Sequence, residues 1–207
     1  MTRLVLASTS RYRAEVLRRL GVTFESVAPG VDELIPPGMA PIAAAAMRAR
    51  KKALAVSTRP GFEDALVIGS DQICIAPAGG PGGDASEAAI LGKPGNAELA
   101  LAQLRRLQGA RHRLVTAVAV ARREEVHAAV DGHTLTMHAL GDEQLHAYIT
   151  ADQPLDCAGS YRLEARGIAL FSRIEPDPET SDESAIVGLP LLKTLRLLRE
   201  RFGWTTF

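Results

Sequence analysis

At 207 residues the chain can bury a full core in one domain of ordinary to large size or in two apposed lobes, and its 46% apolar and 23% charged residues exclude disorder and a fibrous repeat. No apolar run approaches a membrane span, and the short apolar start turns polar too quickly for a secretory signal, so a cytoplasmic protein with no membrane partner is expected. Net charge is zero, yet residues 1–60 hold ten Lys or Arg against four Asp or Glu, an imbalance that suits a small polyanion in one cleft and not a long nucleic acid.

In chain order, strands are predicted at residues 4–7, 22–27, 65–75, 114–121, 126–140 and 167–174. Between them lie helices at 11–20, closed by Gly21, at 41–57, opened by Pro41, at 96–108, capped by Asn96 and closed by Gly109, and at 142–149 and 191–202. Asp131-Gly132 reads as a hairpin turn inside the fifth strand, which requires antiparallel pairing and makes the α/β chain one with a mixed sheet. Residues 76–89, rich in Gly and Pro, and residues 175–184, with Pro176 and Pro178, read as exposed loops. Neither marks a boundary, so a single domain over 1–207 is expected. Cys74 and Cys157 are far apart in small or apolar contexts and read as buried free thiols, with no disulfide or zinc site between them.

Residues 4–19 run from an apolar strand through Ser8-Thr9-Ser10 into a helix whose first turn carries Arg11 and Arg13. A helix N-terminus offers unpaired N–H groups and the positive end of the helix dipole, so the segment reads as a polyphosphate seat, with a plain N-cap as the alternative. Asp71 sits in a run that is otherwise apolar from Leu66 to Ile75. A carboxylate avoids such a place unless it is paired, hydrogen-bonded or bound to a metal, which makes Asp71 a functional candidate; satisfaction by a neighbouring basic side chain is the structural alternative. Asp32-Glu33 supplies two more carboxylates, and Glu33 with Asp71 would suit a hard divalent ion that keeps waters and phosphate oxygens. Lys93, fixed between Gly92 and Pro94, and Lys52, one helical turn after Arg48, are the candidate cations; a solvated helix face explains the run from Arg48 to Lys52 equally well.

The pieces Leu6-Ala7-Ser8-Thr9-Ser10 with Arg13, Val31-Asp32-Glu33, Lys52-Ala53, Gly69-Ser70-Asp71-Gln72, Gly92-Lys93-Pro94, Ala158-Gly159-Ser160-Tyr161 and Val187-Gly188-Leu189-Pro190 occur in an order that resembles the Maf family of nucleoside triphosphate pyrophosphatases over nearly the whole chain. Tyr12 ahead of Arg13, Ser70-Asp71-Gln72, and Cys157-Ala158-Gly159-Ser160 before Glu164 look most like the branch that acts on 7-methyl-GTP. The resemblance implies a mixed α/β fold whose elongated central sheet is flanked by helices, with two lobes and a deep nucleotide-binding cleft. It also implies a divalent cation, Mg2+ or Mn2+, frequently a homodimer, Asp71 as the catalytic acid residue, and Tyr12, Gln72 and Glu164 as base-selecting residues.

Phosphoanhydride chemistry agrees with that reading. Asp71 is assigned to water activation or to holding the metal, Glu33 assists at the metal, and Arg13, Lys52 and Lys93 clamp the triphosphate with Ser8 and the helix N-terminus. Methylation at N7 makes guanine cationic, so the ring of Tyr12 and the carboxylate of Glu164 would each favour it over a neutral base. Arg11 stands where the family usually has proline, Ala117 follows Thr116 where glycine is common, and the 76–89 loop is long. A pyrophosphatase for dTTP, UTP or another non-standard nucleotide, and a regulator of cell division that binds nucleotide without cleaving it, are the alternatives.

Overall fold

The computed structural model describes residues 2–78, 90–178 and 181–205. The chain elements in order are β1 (Leu4–Leu6), α1 (Arg11–Arg18), β2 (Glu25–Ser26), α2 (Pro41–Ser57), β3 (Leu66–Ile75), β4 (Ile90–Leu91), α3 (Ala97–Leu107), β5 (Arg111–Arg122), β6 (Glu125–Met137), α4 (Asp142–Asp152), β7 (Phe171–Pro176), α5 (Ser184–Val187) and α6 (Leu191–Phe202). Short 3-10 turns at Ala158–Ser160 and Arg166–Leu170 precede β7. The strands hydrogen-bond in the order β2-β1-β3-β5-β6-β7, with β4 on β3. Pairing of β1 with β2 and β3 is parallel, whereas β3 with β4 and β6 with β7 are antiparallel, so the sheet is mixed as expected. Among the described residues no helix is long and apolar enough to cross a membrane.

The chain divides into two compact units. The first comprises residues 1–72, 116–131 and 178–207, and its core follows from strand alternation. Leu4, Leu6, Leu66 and Ile68 point to one face, where they pack with Leu17 of α1 and Leu197 and Leu198 of α6. Val5, Ala7 and Val67 point to the other and pack with Val56 of α2. On that second face Gly69 is required by close approach: a Cβ there would lie 2.6 Å from Ala53 N and would also strike the carbonyl oxygen of Ala49. Fully buried alanines at 44, 45, 49 and 53 let α2 lie this close to β3.

The second unit comprises residues 73–115 and 132–177. Leu104, Leu107, Leu114, Leu135 and Leu145 are buried in it. Tyr161 and Phe171 meet edge to face at 4.9 Å between ring centroids, and His112 Nε2 lies 3.1 Å from Tyr161 Oη. Burial pulls the His112 pKa down to about 4.

Several expectations need correction. Asp131-Gly132 is not a turn: both residues lie inside β6, and the β5–β6 connection is at Arg123-Glu124, where Arg123 takes φ +55. Asp131 is 2% exposed, held by Ser181 Oγ and 3.7 Å from Lys193 Nζ. A Cβ at Gly132 would fall 2.6 Å from Arg113 Nη2 and also against the Asp177 carboxylate, the ends of two flexible side chains that pair over it. The strand expected at 22–27 shrinks to Glu25–Ser26, since Val22 and Phe24 pack on the core without joining the ladder. Gly167 serves a tight 3-10 turn against Arg162, so the last strand starts at Phe171, not at 167. Cys157 is only half-buried, although both thiols are free. Of the expected loop at 76–89, residues 79–89 lie outside the described residues, as do 179 and 180 of the loop at 175–184.

Candidate active site

Alternation along β3 decides which residues meet. Asp71 shares the face of Gly69 and points at α2, while Ser70 and Gln72 point to the opposite face. Lys52, five residues before the end of α2, brings its ammonium to 2.6 Å from Asp71 Oδ1 and 2.7 Å from Glu33 Oε1. Asp71 and Lys52 are 3% and 5% exposed, so this is a buried pair, whereas Glu33 reaches it from a loop and stays half-exposed.

Arg48, one turn earlier on the same face of α2, donates from Nη2 to the Glu33 carbonyl and places Nη1 3.6 Å from Asp71 Oδ2. That separation is an ion pair and too long for a hydrogen bond. Asp71 Oδ2 and Arg48 Nε are both buried without a hydrogen-bond partner among the described residues. The solvated-face reading therefore fails for Arg48 and Lys52 and holds for Lys51, whose ammonium meets Asp32 in exposed surroundings. Sequence reasoning gave Arg48 no role; its spacing one turn before Lys52 was the available signal.

The seat at the start of α1 takes shape through its own hydroxyls. Ser10 caps the helix by accepting from Arg13 N, and Ser8 Oγ accepts from Ser10 N at 3.1 Å. The Arg13 side chain donates from Nη1 to Ser8 Oγ at 3.4 Å and from Nε to Gly188 O at 3.0 Å. Burial lowers the Arg13 pKa from the usual guanidinium value, and the charges of Asp71 and Glu33 oppose that fall. Gly188 O and Ala117 O both lie 2.8 Å from Ser70 Oγ, whose single proton serves one of the two carbonyls at a time. Ser8, Arg13, Glu33, Lys52 and Asp71 all belong to the first unit, where Lys52 joins Asp71 and Glu33 and Arg13 joins Ser8.

Tyr12 is 9% exposed with Arg11 against its ring. Gln72 Nε2 is shared among Thr116 Oγ1, Ala185 O and Ile186 O at 2.9–3.0 Å, while its Oε1 has no hydrogen bond among the described residues. Lys93 and Glu164 belong to the second unit. Lys93 is exposed and has no ion pair among the described residues, and Glu164 pairs with Arg162 at 3.4 Å. Burial pushes Cys74 and Cys157 up to about 12, which keeps both protonated at neutral pH and agrees with the expectation of no catalytic thiolate.

Residues 3–201 match the family described as Maf-like protein. The chain belongs to the Maf family. Its Maf relatives include the 7-methyl-GTP pyrophosphatase of Xanthomonas campestris pv. campestris strain 8004, 41% identical over 97% of this chain and 96% of that protein. The 7-methyl-GTP pyrophosphatase of Chromohalobacter salexigens is 39% identical over 97% and 96%. Among solved structures, the Staphylococcus aureus Ham1 protein aligns at 16% identity over 66% of this chain and 72% of that one, with a TM-score of 0.42.

The resemblance to this Maf branch implies a divalent cation, and the donors present suit one. Among the described residues no three His, Cys, Asp or Glu side chains gather to hold an ion by themselves. Magnesium does not ask for that, since it binds through one or two carboxylates together with waters and substrate phosphates. Among the described residues Asp71 Oδ2 is buried without a hydrogen-bond partner, and Glu33 stands across Lys52 from it, so these two carboxylates would hold the ion.

Proposed function

We propose that this Maf protein is a nucleoside triphosphate pyrophosphatase that hydrolyses 7-methyl-GTP to 7-methyl-GMP and pyrophosphate, keeping a modified nucleotide out of nucleic acids. The observation that carries the reading is Asp71: a carboxylate 3% exposed, tied through Oδ1 to Lys52 and without a hydrogen bond at Oδ2 among the described residues. A buried polar atom without a partner is costly, and such atoms persist where chemistry uses them. The activity named for the relatives above agrees with it.

In the reaction a water oxygen bonds to the α-phosphorus while the bond from that phosphorus to the α,β-bridging oxygen breaks, and pyrophosphate leaves with the electron pair. Asp71 Oδ2 takes the proton that the water gives up. Lys52 and Arg13 face the charge that builds on the phosphate oxygens, in a setting where a fixed cation acts more strongly than in water. Ser8 and the start of α1 hold the phosphate chain. In place of taking that proton, the same Oδ2 would serve with Glu33 to hold Mg2+ or Mn2+, which when bound supplies further positive charge to the phosphate oxygens. For the base, the ring of Tyr12 favours the positive charge of 7-methylguanine, and Gln72 Oε1 is an acceptor for the N–H groups of the guanine edge.

The test is pyrophosphate release by the purified protein, with magnesium or manganese, from 7-methyl-GTP, GTP, dTTP, UTP, CTP and ITP. The expected result is the highest kcat/KM on 7-methyl-GTP and a loss of about a hundredfold or more in kcat for Asp71→Asn. Preference for another nucleotide would retain the chemistry and remove the base assignment. Absence of cleavage, with nucleotides still raising Tm, would point to a binding protein.

A further inference from the structure

Tyr12 is the ring assigned to the base, and a cation already lies on it. The guanidinium carbon of Arg11 is 4.8 Å from the Tyr12 ring centroid, and Arg11 Nη2 donates to Tyr12 Oη at 2.8 Å. Tyr12 is 9% exposed, whereas Arg11, the first residue of α1, is exposed. Arg13, two positions on, is engaged with Ser8 and Gly188. The two arginines of the first turn therefore serve different groups, one the phosphate seat and the other the aromatic ring.

We propose that Arg11 is a specificity-determining residue that competes with a cationic nucleobase for the face of Tyr12 and so restrains the preference for methylated over unmethylated guanine. This rests on the 7-methyl-GTP reading above. The face of an aromatic ring attracts one cation, and a second brought to the same face meets both an occupied surface and a like charge. Unmethylated guanine meets a different balance, because its N7 and O6 are a matched pair of acceptors for a guanidinium. Methylation at N7 removes one of that pair and adds a positive charge. On both grounds Arg11 favours GTP relative to 7-methyl-GTP, and Tyr12 exerts its full preference only when Arg11 has left the ring. Since Arg11 is exposed, its removal leaves the core intact.

The experiment is a comparison of kcat and KM for 7-methyl-GTP and GTP in the wild type, Arg11→Ala and Arg11→Lys, with Tm measured for each. Arg11→Ala is expected to lower KM for 7-methyl-GTP by about two- to thirtyfold, the range of a single cation–π contact, with kcat unchanged and no matching fall for GTP. Arg11→Lys, which keeps the charge and loses the planar fork, is expected to fall between the two. An unchanged ratio of kcat/KM for the two nucleotides in Arg11→Ala overturns the proposal. A rise of both KM values together also overturns it, because Arg11 would then be a phosphate ligand. If the wild type cleaves 7-methyl-GTP and the ratio is insensitive to Arg11, only this inference falls; if the wild type does not cleave 7-methyl-GTP, the functional reading falls and the inference with it.

Discussion

Replacing Lys52 by methionine keeps the length of the side chain and removes its charge, leaving Asp71 buried beside an apolar group. The pair is separated by 2.6 Å with both partners about 5% exposed, and Coulomb attraction at an effective dielectric constant of ~20 is about 6 kcal/mol at that distance. Part of that offsets the cost of desolvating both ions, so deletion of one partner is expected to destabilise the fold by about 3–5 kcal/mol. Glu33, with a side chain 52% exposed, adds little, about 0–1 kcal/mol for a solvent-screened pair. Urea denaturation of the wild type, Lys52→Met, Asp71→Asn and the double variant would close a thermodynamic cycle. In the Asp71→Asn background Lys52→Met is expected to cost only about 1–2 kcal/mol, giving a coupling of about 1–4 kcal/mol between the two positions. A coupling within about 0.5 kcal/mol of zero would refute the reasoning, because distant independent sites behave that way.

Gly69→Ala is expected to destabilise by about 1–3 kcal/mol and to reduce kcat by about a hundredfold, since the new Cβ pushes α2 away from β3 and with it Lys52 from Asp71; urea midpoints and pyrophosphate release check this together. His112 gives a pH signature. Its folded pKa of about 4 lies below its ordinary 6.5, so the unfolded chain binds the extra proton; stability from this group is full above pH 6.5 and is lost as pH falls towards 4, by about 2–3 kcal/mol at pH 4.5. The difference in unfolding free energy between wild type and His112→Gln, followed from pH 7.5 to 4.5, should shrink by that amount, and a constant difference would mean that His112 is not buried neutral.

The site was legible where residue type conflicted with its surroundings. An acid within an apolar strand singled out Asp71, and strand alternation alone sends Asp71 and Gly69 to one face and Ser70 and Gln72 to the other. The same conflict at Asp131 was read as a turn signal, because an Asp-Gly pair says nothing about the Ser181 and Lys193 side chains that satisfy it 50 and 62 positions away. Gly69 and Arg48 were passed over for a related reason: one matters through a helix backbone brought against it, the other through a carbonyl on a distant loop, and neither partner is near in sequence. Helices opened by proline or closed by glycine were placed to the residue or nearly so, as with Pro41–Ser57 and Leu191–Phe202. Strands at 4–7 and 65–75 were placed to within a residue, whereas the ends of the second, fifth and last strands were not, since ladder pairing is decided by the neighbouring strand.

The carbonyl of Gly188 receives both Arg13 Nε and Ser70 Oγ, contacts that span 175 and 118 positions of sequence. A chain made from its amino end therefore has Arg13, Glu33, Lys52 and Asp71 long before it has the oxygen that orients Arg13. During synthesis the Arg13 side chain lacks this acceptor until that glycine emerges, and loss of the segment around Gly188 would remove it while leaving the contacts of Lys52 with Asp71 and Glu33 untouched.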